Sequence, residues 1–189
     1  NFPGGRTIVN LWSSRERLGS ALGVEKEGIV DLLADASDSP VDPVEIEDAP
    51  VLEDVRNDFD LTDLPFPKYY PRDGGRYITS GVVIAELDGV KNMSFHRMML
   101  TGEDEFTIRL VPRDLHDMYQ KSMEKGKDLD IAVCIGVCPP ILLAAATSVE
   151  YDVDEMKIAS AMRELGSGEK VEVTGLDNGL TVPAHSEYI

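Results

Sequence analysis

The sequence predicts an α+β fold built around an antiparallel sheet with flanking helices. β-Branched residues are frequent in 76–87, Asp88-Gly89 is typical of a two-residue hairpin turn, and 90–100 returns as the partner strand. After a second turn, 106–111 alternates apolar and polar residues with a period of two. Short local connections of this kind favour an antiparallel barrel or sandwich over a doubly wound parallel sheet. We therefore expect a three-stranded antiparallel meander at the centre of the chain.

The composition is that of a folded protein without a membrane span. Hydrophobic residues make up 42% of the 189 residues and charged residues 28%, and no apolar run approaches the ~20 residues needed to cross a bilayer. The 18 Lys and Arg residues against 35 Asp and Glu residues give a net charge of −17. Such a charge opposes binding to phosphate backbones, so no nucleic acid partner is expected.

The two cysteines, Cys134 and Cys138, stand in an apolar stretch. A zinc site needs more ligands nearby, and a disulfide framework needs more cysteines. The pattern therefore predicts buried, reduced thiols in a cytoplasmic protein.

Two segments are predicted, with a division near residue 64. Residues 1–63 contain helical patterns and the acidic stretch 31–65, which we interpret as a solvated, loosely structured connection. Residues 64–189 contain the sheet. The start, NFPGG, does not look like a natural N-terminus, and the end stops in an extended pattern. Both ends suggest a piece of a longer polypeptide.

Further helices and strands are expected on both sides of the sheet. Near the start, Ser13 or Ser14 is a candidate N-cap and Gly23 a stop for the first helix. The other expected elements are a second helix in 25–36, a helix after Pro112 that ends at Gly126, a strand over 129–137 buried on both faces, a helix opened by Pro139-Pro140, a helix over 152–165, and two strands around Asn178-Gly179.

Strongly polar residues interrupt the apolar pattern of the second strand. Asn92 and Arg97 are five positions apart, an odd offset that puts them on opposite faces of a regular strand. If both serve one ligand, the strand must bulge or curl around it. Otherwise Asn92, Ser94 and His96 form a solvent-facing side, and Arg97 lies on the apolar face, where a guanidinium needs an anionic partner.

The carboxylates outside the sheet can be explained as residues at helix starts, without any ligand. Glu155 stands three residues after Asp152, a spacing typical of a capping box. Asp114 and His116 stand at the start of a predicted helix, where acidic residues suit the first turn. The residues alone therefore indicate a β-rich domain with a cluster of Asn, Arg and carboxylates, and they identify no reaction.

The stretch DGGRYITSGVVIAELDGVKNMSFHRMML strongly resembles the central domain of the UbiD family of prenylated-flavin-dependent decarboxylases. NLWSSRERLGSAL precedes it, and LVPRDLHDMY, DIAVCIGVCPPILLAAATS and DEMKIASAM follow it in the order of the family's motifs. Several ordered motifs are more specific than any one of them. The resemblance implies a split β-barrel similar to that of flavin reductases.

The resemblance also implies a metal site. Asn92 and Glu155 would bind a divalent cation, Mn²⁺ or Mg²⁺, at the flavin phosphate, and K⁺ is a further candidate ion. The family's third ligand is commonly the histidine of a P-x-H-L segment. This sequence has Asp114 at that position and His116 two residues later, so we prefer Asp114 and keep His116 as the alternative. An oxygen ligand suits either divalent ion.

Prenylated FMN is the cofactor that the resemblance implies, with Arg97 as the catalytic residue that holds the substrate carboxylate. The residues expected to surround the cofactor are Asn92, Ser94, Phe95, His96, Arg97, Ala145, Ala146 and Thr147. The implied reaction is reversible, non-oxidative decarboxylation of an α,β-unsaturated or aromatic acid. The family's two acidic glutamates would lie beyond Ile189, and Glu187 belongs to an earlier stretch, so the chain alone is expected to be inactive or nearly so.

The remaining expectations concern substrate and partners. The archaeal character of the matching stretch favours anhydromevalonate phosphate in isoprenoid synthesis, with polyprenyl-hydroxybenzoate decarboxylation as an alternative. Two alternative functions are not decarboxylation. The chain could be a flavin-reductase-like FMN-binding module or a non-catalytic assembly module. The expected partners are a small carboxylic acid, a flavin prenyltransferase that supplies the cofactor, and further copies of the chain in a homo-oligomer.

Overall fold

The computed structural model describes residues 8–189 and has an α+β architecture of helices and small sheets. The start, NFPGG, lies outside the described residues. The helices are α1 (Arg15–Leu22), α2 (Ile29–Asp38), α3 (Asp114–Glu124), α4 (Pro139–Ala145) and α5 (Glu155–Ser167), with short 3₁₀ turns at Lys26–Gly28, Pro50–Leu52 and Leu61–Asp63. The strands are β1 (Val44–Glu45), β2 (Tyr77–Ile78), β3 (Val82–Leu87), β4 (Val90–Phe95), β5 (Met98–Leu100), β6 (Phe106–Ile108), β7 (Ile131–Cys134), β8 (Glu172–Gly175) and β9 (Thr181–Pro183).

Three small sheets hold these strands, with the orders β4-β3-β7, β2-β5-β6 and β1-β8-β9. The predicted hairpin joins β3 to β4 in an antiparallel pair. Its turn residues, Asp88 and Gly89, both have positive φ, at 54° and 82°, the backbone that a tight two-residue hairpin requires. No sheet closes into a barrel within residues 8–189.

The predicted three-stranded meander is wrong, because the middle strand breaks at His96 and Arg97. β4 ends before the break and pairs with β3, whereas β5 begins after it and pairs with β2 and β6. The first predicted strand also divides, at Thr79–Gly81, into β2 and β3. A Cβ on Gly81 would lie 2.9 Å from the side chains of both Ile78 and Val133, so a larger residue at this corner would force these neighbours to shift.

The strand predicted over 129–137 is shorter than expected and only half buried. β7 covers Ile131–Cys134, alternates buried and half-buried residues, and forms an edge of its sheet. Antiparallel sheets often bury one face more completely than the other. Beyond β7, Ile135 bridges to Tyr188 near the end of the chain.

Local capping follows the sequence at both ends of α1. Ser14 is the N-cap, and its hydroxyl accepts a hydrogen bond from the Arg17 N–H. Gly23 ends the helix in the left-handed conformation with φ 75°, which glycine adopts without steric cost. The start of the acidic stretch is not a loose connection, because 31–38 belongs to α2.

The sheet β4-β3-β7 separates two apolar clusters. Val82 and Ile84 of β3 face the larger cluster with α2, α4 and α5, whereas Val83 and Ala85 face the smaller one with Leu115 and Met118 of α3. Alternation of this kind follows from the period-two geometry of a strand. β4 is the edge strand between these layers, and it contains the polar residues of interest.

Both cysteines are free, as predicted. Burial raises the pKa of the Cys134 thiol to about 12 and raises the pKa of Cys138 as well, so neither forms a reactive thiolate at neutral pH. No helix between residues 8 and 189 has the length and apolar character needed to cross a bilayer.

Candidate functional site

Glu155 is a buried carboxylate at the first position of α5, with only 4% of its surface exposed. The predicted capping box is wrong, because the N-cap is Asp154, whose side chain accepts from the Met156 N–H at 2.9 Å. Glu155 is therefore not needed to cap its own helix. Its side chain points towards β4 instead.

The Glu155 carboxylate accepts two hydrogen bonds from β4. Asn92 Nδ2 donates to Oε1 at 3.2 Å, and the Met93 backbone N–H donates to Oε2 at 2.9 Å. Because β4 is an edge strand, the Met93 N–H has no neighbouring strand on that side and is available to the carboxylate. Both donors are neutral, so the buried acid has no cation among these contacts.

The pKa of Glu155 is raised from 4.5 to about 7, chiefly because burial disfavours the charged form. Hydrogen bonds from the backbone N–H groups of Glu155 itself and of Met93 oppose this shift, and the charges of Asp154 and Asp114 add to it. Two further acids thus lie close enough to repel the carboxylate. An acid of this kind favours a proton or a cation beside it at neutral pH.

A chain of polar side chains runs from Asn92 along the same face of β4. Ser94 Oγ lies 2.8 Å from Asn92 Oδ1 and 3.1 Å from His96 Nε2, and His96 Nδ1 lies 3.2 Å from the carbonyl oxygen of Arg109. Asn92 and His96 are buried and Ser94 is half buried. The solvent-facing alternative for these residues is therefore wrong, and each has a hydrogen-bond partner instead.

The carbonyl of Arg109 fixes the tautomer of His96. Burial lowers the pKa of His96, so its ring is neutral at neutral pH, and Nδ1 must carry the proton because a carbonyl only accepts. Nε2 is then an acceptor and competes with Asn92 Oδ1 for the single proton of Ser94. When the hydroxyl turns to His96, Asn92 Oδ1 keeps its lone pairs for another ligand.

The two alternative third ligands both lie on α3. Asp114 is its first residue and is half buried, and its charge acts on Glu155. His116 is also half buried but makes no side-chain hydrogen bond within the described residues. No group of three or more His, Cys, Asp and Glu side chains in residues 8–189 has the arrangement of a metal site. Asn92 would therefore have to complete any such site.

Arg97 is exposed, which corrects the expectation that strand alternation would leave it on an apolar face. It follows the end of β4, where the chain passes from one sheet to another, so the parity of a continuous strand does not apply. The strand in which Asn92 and Arg97 were predicted to point to opposite faces is thus interrupted between these two residues. Phe95 is half buried against the larger apolar cluster.

The three small residues after α4 differ in accessibility. Ala145 is buried, Ala146 is exposed, and Thr147 is half buried with its hydroxyl donating to the Leu143 carbonyl at 2.8 Å. Ala146 is thus the most accessible of the three to a ligand.

Two features of the site had no signal in the sequence. The Met93 N–H is a backbone donor, which residue types do not reveal. A cavity of about 260 Å³ beside Asn92 and Met93 brings Lys91 near Lys157, although these lysines are 66 positions apart. Only the packing of α5 on β4 could bring them together.

Comparison with known proteins identifies the family. Residues 43–189 match the family model described as "UbiD: 3-octaprenyl-4-hydroxybenzoate carboxy-lyase Rift-related domain". This match covers most of the chain, so the chain belongs to the UbiD family.

The most similar relatives include the anhydromevalonate phosphate decarboxylase of Methanosarcina mazei, which is 41% identical over 191 residues. The alignment covers 100% of this chain and 43% of the relative. The chain therefore spans less than half the length of the curated relatives it matches.

Solved structures of UbiD-class enzymes have the same fold. The enzyme HmfF from Pelotomaculum thermopropionicum, in complex with FMN, superposes with a TM-score of 0.85 at 36% identity, covering 92% of this chain and 40% of that one. An evolved dimeric form of HmfF in complex with prFMN gives the same TM-score and identity, with 92% and 41% covered.

Proposed function

We propose that this chain is the flavin-binding part of a carboxy-lyase that decarboxylates an α,β-unsaturated or aromatic acid with prenylated FMN. The observation that carries the proposal is the buried contact between Asn92 and Glu155, two residues far apart in sequence that the family resemblance assigns to one metal site. Family membership and the flavin complexes of the structural relatives support it.

The donor set near Glu155 fits a hard divalent cation. The buried carboxylate of Glu155, the carboxylate of Asp114 and the amide oxygen of Asn92 are all oxygen donors, which suit Mg²⁺ or Mn²⁺. The Asn92 amide here turns its nitrogen to Glu155 and its oxygen to Ser94, so it would rotate to bring the oxygen to a shared cation. A cation here would offset the repulsion between the two acids. We therefore prefer Asp114 over His116 as the third ligand. K⁺ has no separate support among these contacts.

Prenylated FMN, when bound, supplies the electron sink for loss of CO₂. The chain's own residues would orient the reactants. Ser94 and neutral His96 would offer hydrogen bonds along one face of β4. The small side chain of Ala146 would allow the flavin to approach closely. The Arg97 guanidinium would hold the substrate carboxylate. The exposure of Arg97 leaves it accessible to such an anion.

The favoured substrate is anhydromevalonate phosphate, supported by the archaeal relatives that carry this name. Polyprenyl hydroxybenzoate is supported by the description of the family model but not by the names of the most similar relatives. The comparisons do not favour a flavin-reductase-like role. We further propose that the small sheets belong to a split β-barrel of a longer polypeptide. We also propose a homo-oligomeric, cytoplasmic protein, with a flavin prenyltransferase supplying the cofactor.

The proposal is tested by titrating the purified chain with Mn²⁺ and FMN and measuring both affinities. Asn92→Ala should weaken Mn²⁺ binding at least roughly tenfold, because it removes a metal ligand, and it should weaken FMN retention with it. Asn57→Ala, a change to an exposed asparagine elsewhere, is the matched control. Equal Mn²⁺ affinities in the Asn92 variant and the wild type would rule out the site.

A second test addresses Arg97 in a polypeptide of the relatives' full length. Arg97→Ala should abolish decarboxylation while flavin remains bound, because the guanidinium holds the substrate and not the cofactor phosphate. Near-normal turnover by this variant would remove Arg97 from the reaction.

A further inference from the structure

A lysine of α3 makes a close contact with a tyrosine of the loop that precedes α5. Lys121 Nζ donates to the Tyr151 hydroxyl at 3.1 Å and lies 4.3 Å from the centre of the tyrosine ring. Lys121 also forms an ion pair with Asp117, one turn earlier in α3, at 2.7 Å. Tyr151 is half buried and packs against the smaller apolar cluster. The contact therefore joins α3 to the loop that leads into α5.

The same two segments supply the acids of the candidate cation site. Asp114 begins α3 and Glu155 begins α5. Asp114 and Lys121 are seven positions apart, which is about two helical turns and places them on the same side of α3. Tyr151 precedes Glu155 by four positions. One side of α3 therefore meets this short segment at two points, the acid pair and the lysine–tyrosine contact.

The two acids repel each other, and the lysine–tyrosine contact opposes that repulsion. The charge of Asp114 disfavours the ionised form of the buried Glu155 carboxylate. This repulsion favours a wider separation of α3 from the start of α5, whereas a divalent cation needs its oxygen ligands at about 2.0–2.6 Å. A cation beside an aromatic ring is attracted to it, so Lys121 and Tyr151 keep the two segments together.

We propose that Lys121 and Tyr151 are positioning residues, which hold α3 against the start of α5 so that the two acids can share one divalent cation. This inference rests on the proposed function, because it adds supporting residues to the proposed cation site. Lys121 itself repels a cation, since it carries the same sign of charge. Its removal therefore separates two effects, because the loss of charge favours cation binding and the loss of position weakens it.

The test is isothermal titration of the purified chain with Mn²⁺, together with urea denaturation in the absence of metal. Lys121→Met should weaken Mn²⁺ binding roughly three- to tenfold, although it removes a positive charge. Tyr151→Leu should weaken binding by a similar factor. The double variant should lie within about twofold of either single variant, because both changes break the same contact. Lys121→Arg should stay within about twofold of wild type, since a guanidinium also binds an aromatic face.

Lys26→Met is the matched control. It removes a lysine whose side chain is 44% exposed, against 45% for Lys121, and which pairs with Glu16 of α1, so it should leave the Mn²⁺ affinity unchanged. Equal or tighter Mn²⁺ binding by Lys121→Met, with or without a loss of metal-free stability, would mark a merely structural contact and overturn the inference. Normal Mn²⁺ binding by wild type would then leave the proposed function standing. A wild-type chain that binds no Mn²⁺ would contradict both.

Discussion

At the scale of single residues, Glu155 is the group whose energetics are most unusual. A carboxylate that is 96% buried and has only neutral donors as partners strongly disfavours its charged form. The unfolded chain does not impose this penalty. The protonation of Glu155 therefore links the stability of the chain to pH, and it supplies a readout that is independent of any reaction.

We expect the metal-free chain to lose stability as pH rises. The folded pKa of about 7 lies above the ordinary value of 4.5, so the stabilisation from the protonated form is complete below pH 4.5 and is lost as pH rises through 7. The free energy of unfolding should fall by about 3 kcal/mol across this window. Urea denaturation at intervals between pH 4 and pH 8 measures it.

Glu155→Gln separates this effect from other titrating groups. The amide keeps an acceptor for the Met93 N–H but carries no charge, so most of the pH dependence should disappear. Glu150→Gln, at an exposed position, should keep it. Parallel pH profiles for wild type and Glu155→Gln would contradict the assigned burial of the charge.

At the scale of elements, the sequence predicted the hairpin, both strands around the Asn-Gly turn and the helix positions well. These depend on local signals such as Asp88-Gly89, Ser14 and Pro139. The sequence-based prediction failed for features that tertiary packing determines. The strand break at His96 and the edge position of β7 depend on which strands meet, and no local residue pattern encodes that choice.

The contact of the chain end with β7 gives a prediction for Gly136. This residue has φ 74°, and a Cβ there would lie 2.4 Å from Glu187 Cγ. Gly136→Ala should therefore cost the strain of a positive φ, about 1–2 kcal/mol, and displace Glu187 from its position beside Ile135. The free energy of unfolding in urea measures the total.

Gly126→Ala is the matched control, because Gly126 has φ 68° but a Cβ there meets nothing within 4 Å. It should suffer the backbone strain alone. The difference between the two variants reports the steric part. After removal of residues 187–189, Gly136→Ala and Gly126→Ala should lower the free energy of unfolding by similar amounts. Equal decreases in the intact chain would show that the chain end does not pack on Gly136.

At the scale of the whole molecule, two apolar clusters hold the layers together and a large negative charge opposes them. A net charge of −17 destabilises a compact chain by self-repulsion, which salt screens. The sequence revealed the charge and the residue types of the candidate site. It could not reveal that Asn92 and Glu155 touch, since 63 positions separate them and only the packing of α5 on β4 joins them.

Matched salts distinguish screening from specific binding. At equal ionic strength, MgCl₂ should raise the unfolding midpoint of wild type more than NaCl does, because a bound cation stabilises the folded state by mass action. Asn92→Ala should lose this additional increase and keep the effect of NaCl. An undiminished effect of Mg²⁺ in the variant would indicate diffuse binding to the acidic surface.

The central claim is that this chain holds prenylated flavin and a divalent cation through β4 and α5. The most direct measurement is to coexpress the chain with a flavin prenyltransferase, purify it, and determine its absorbance, the mass of the released cofactor and its metal content. We predict a cofactor with the mass of prenylated FMN and near-stoichiometric Mn or Mg, both lost in Asn92→Ala. A folded chain that is colourless and free of metal would contradict the claim.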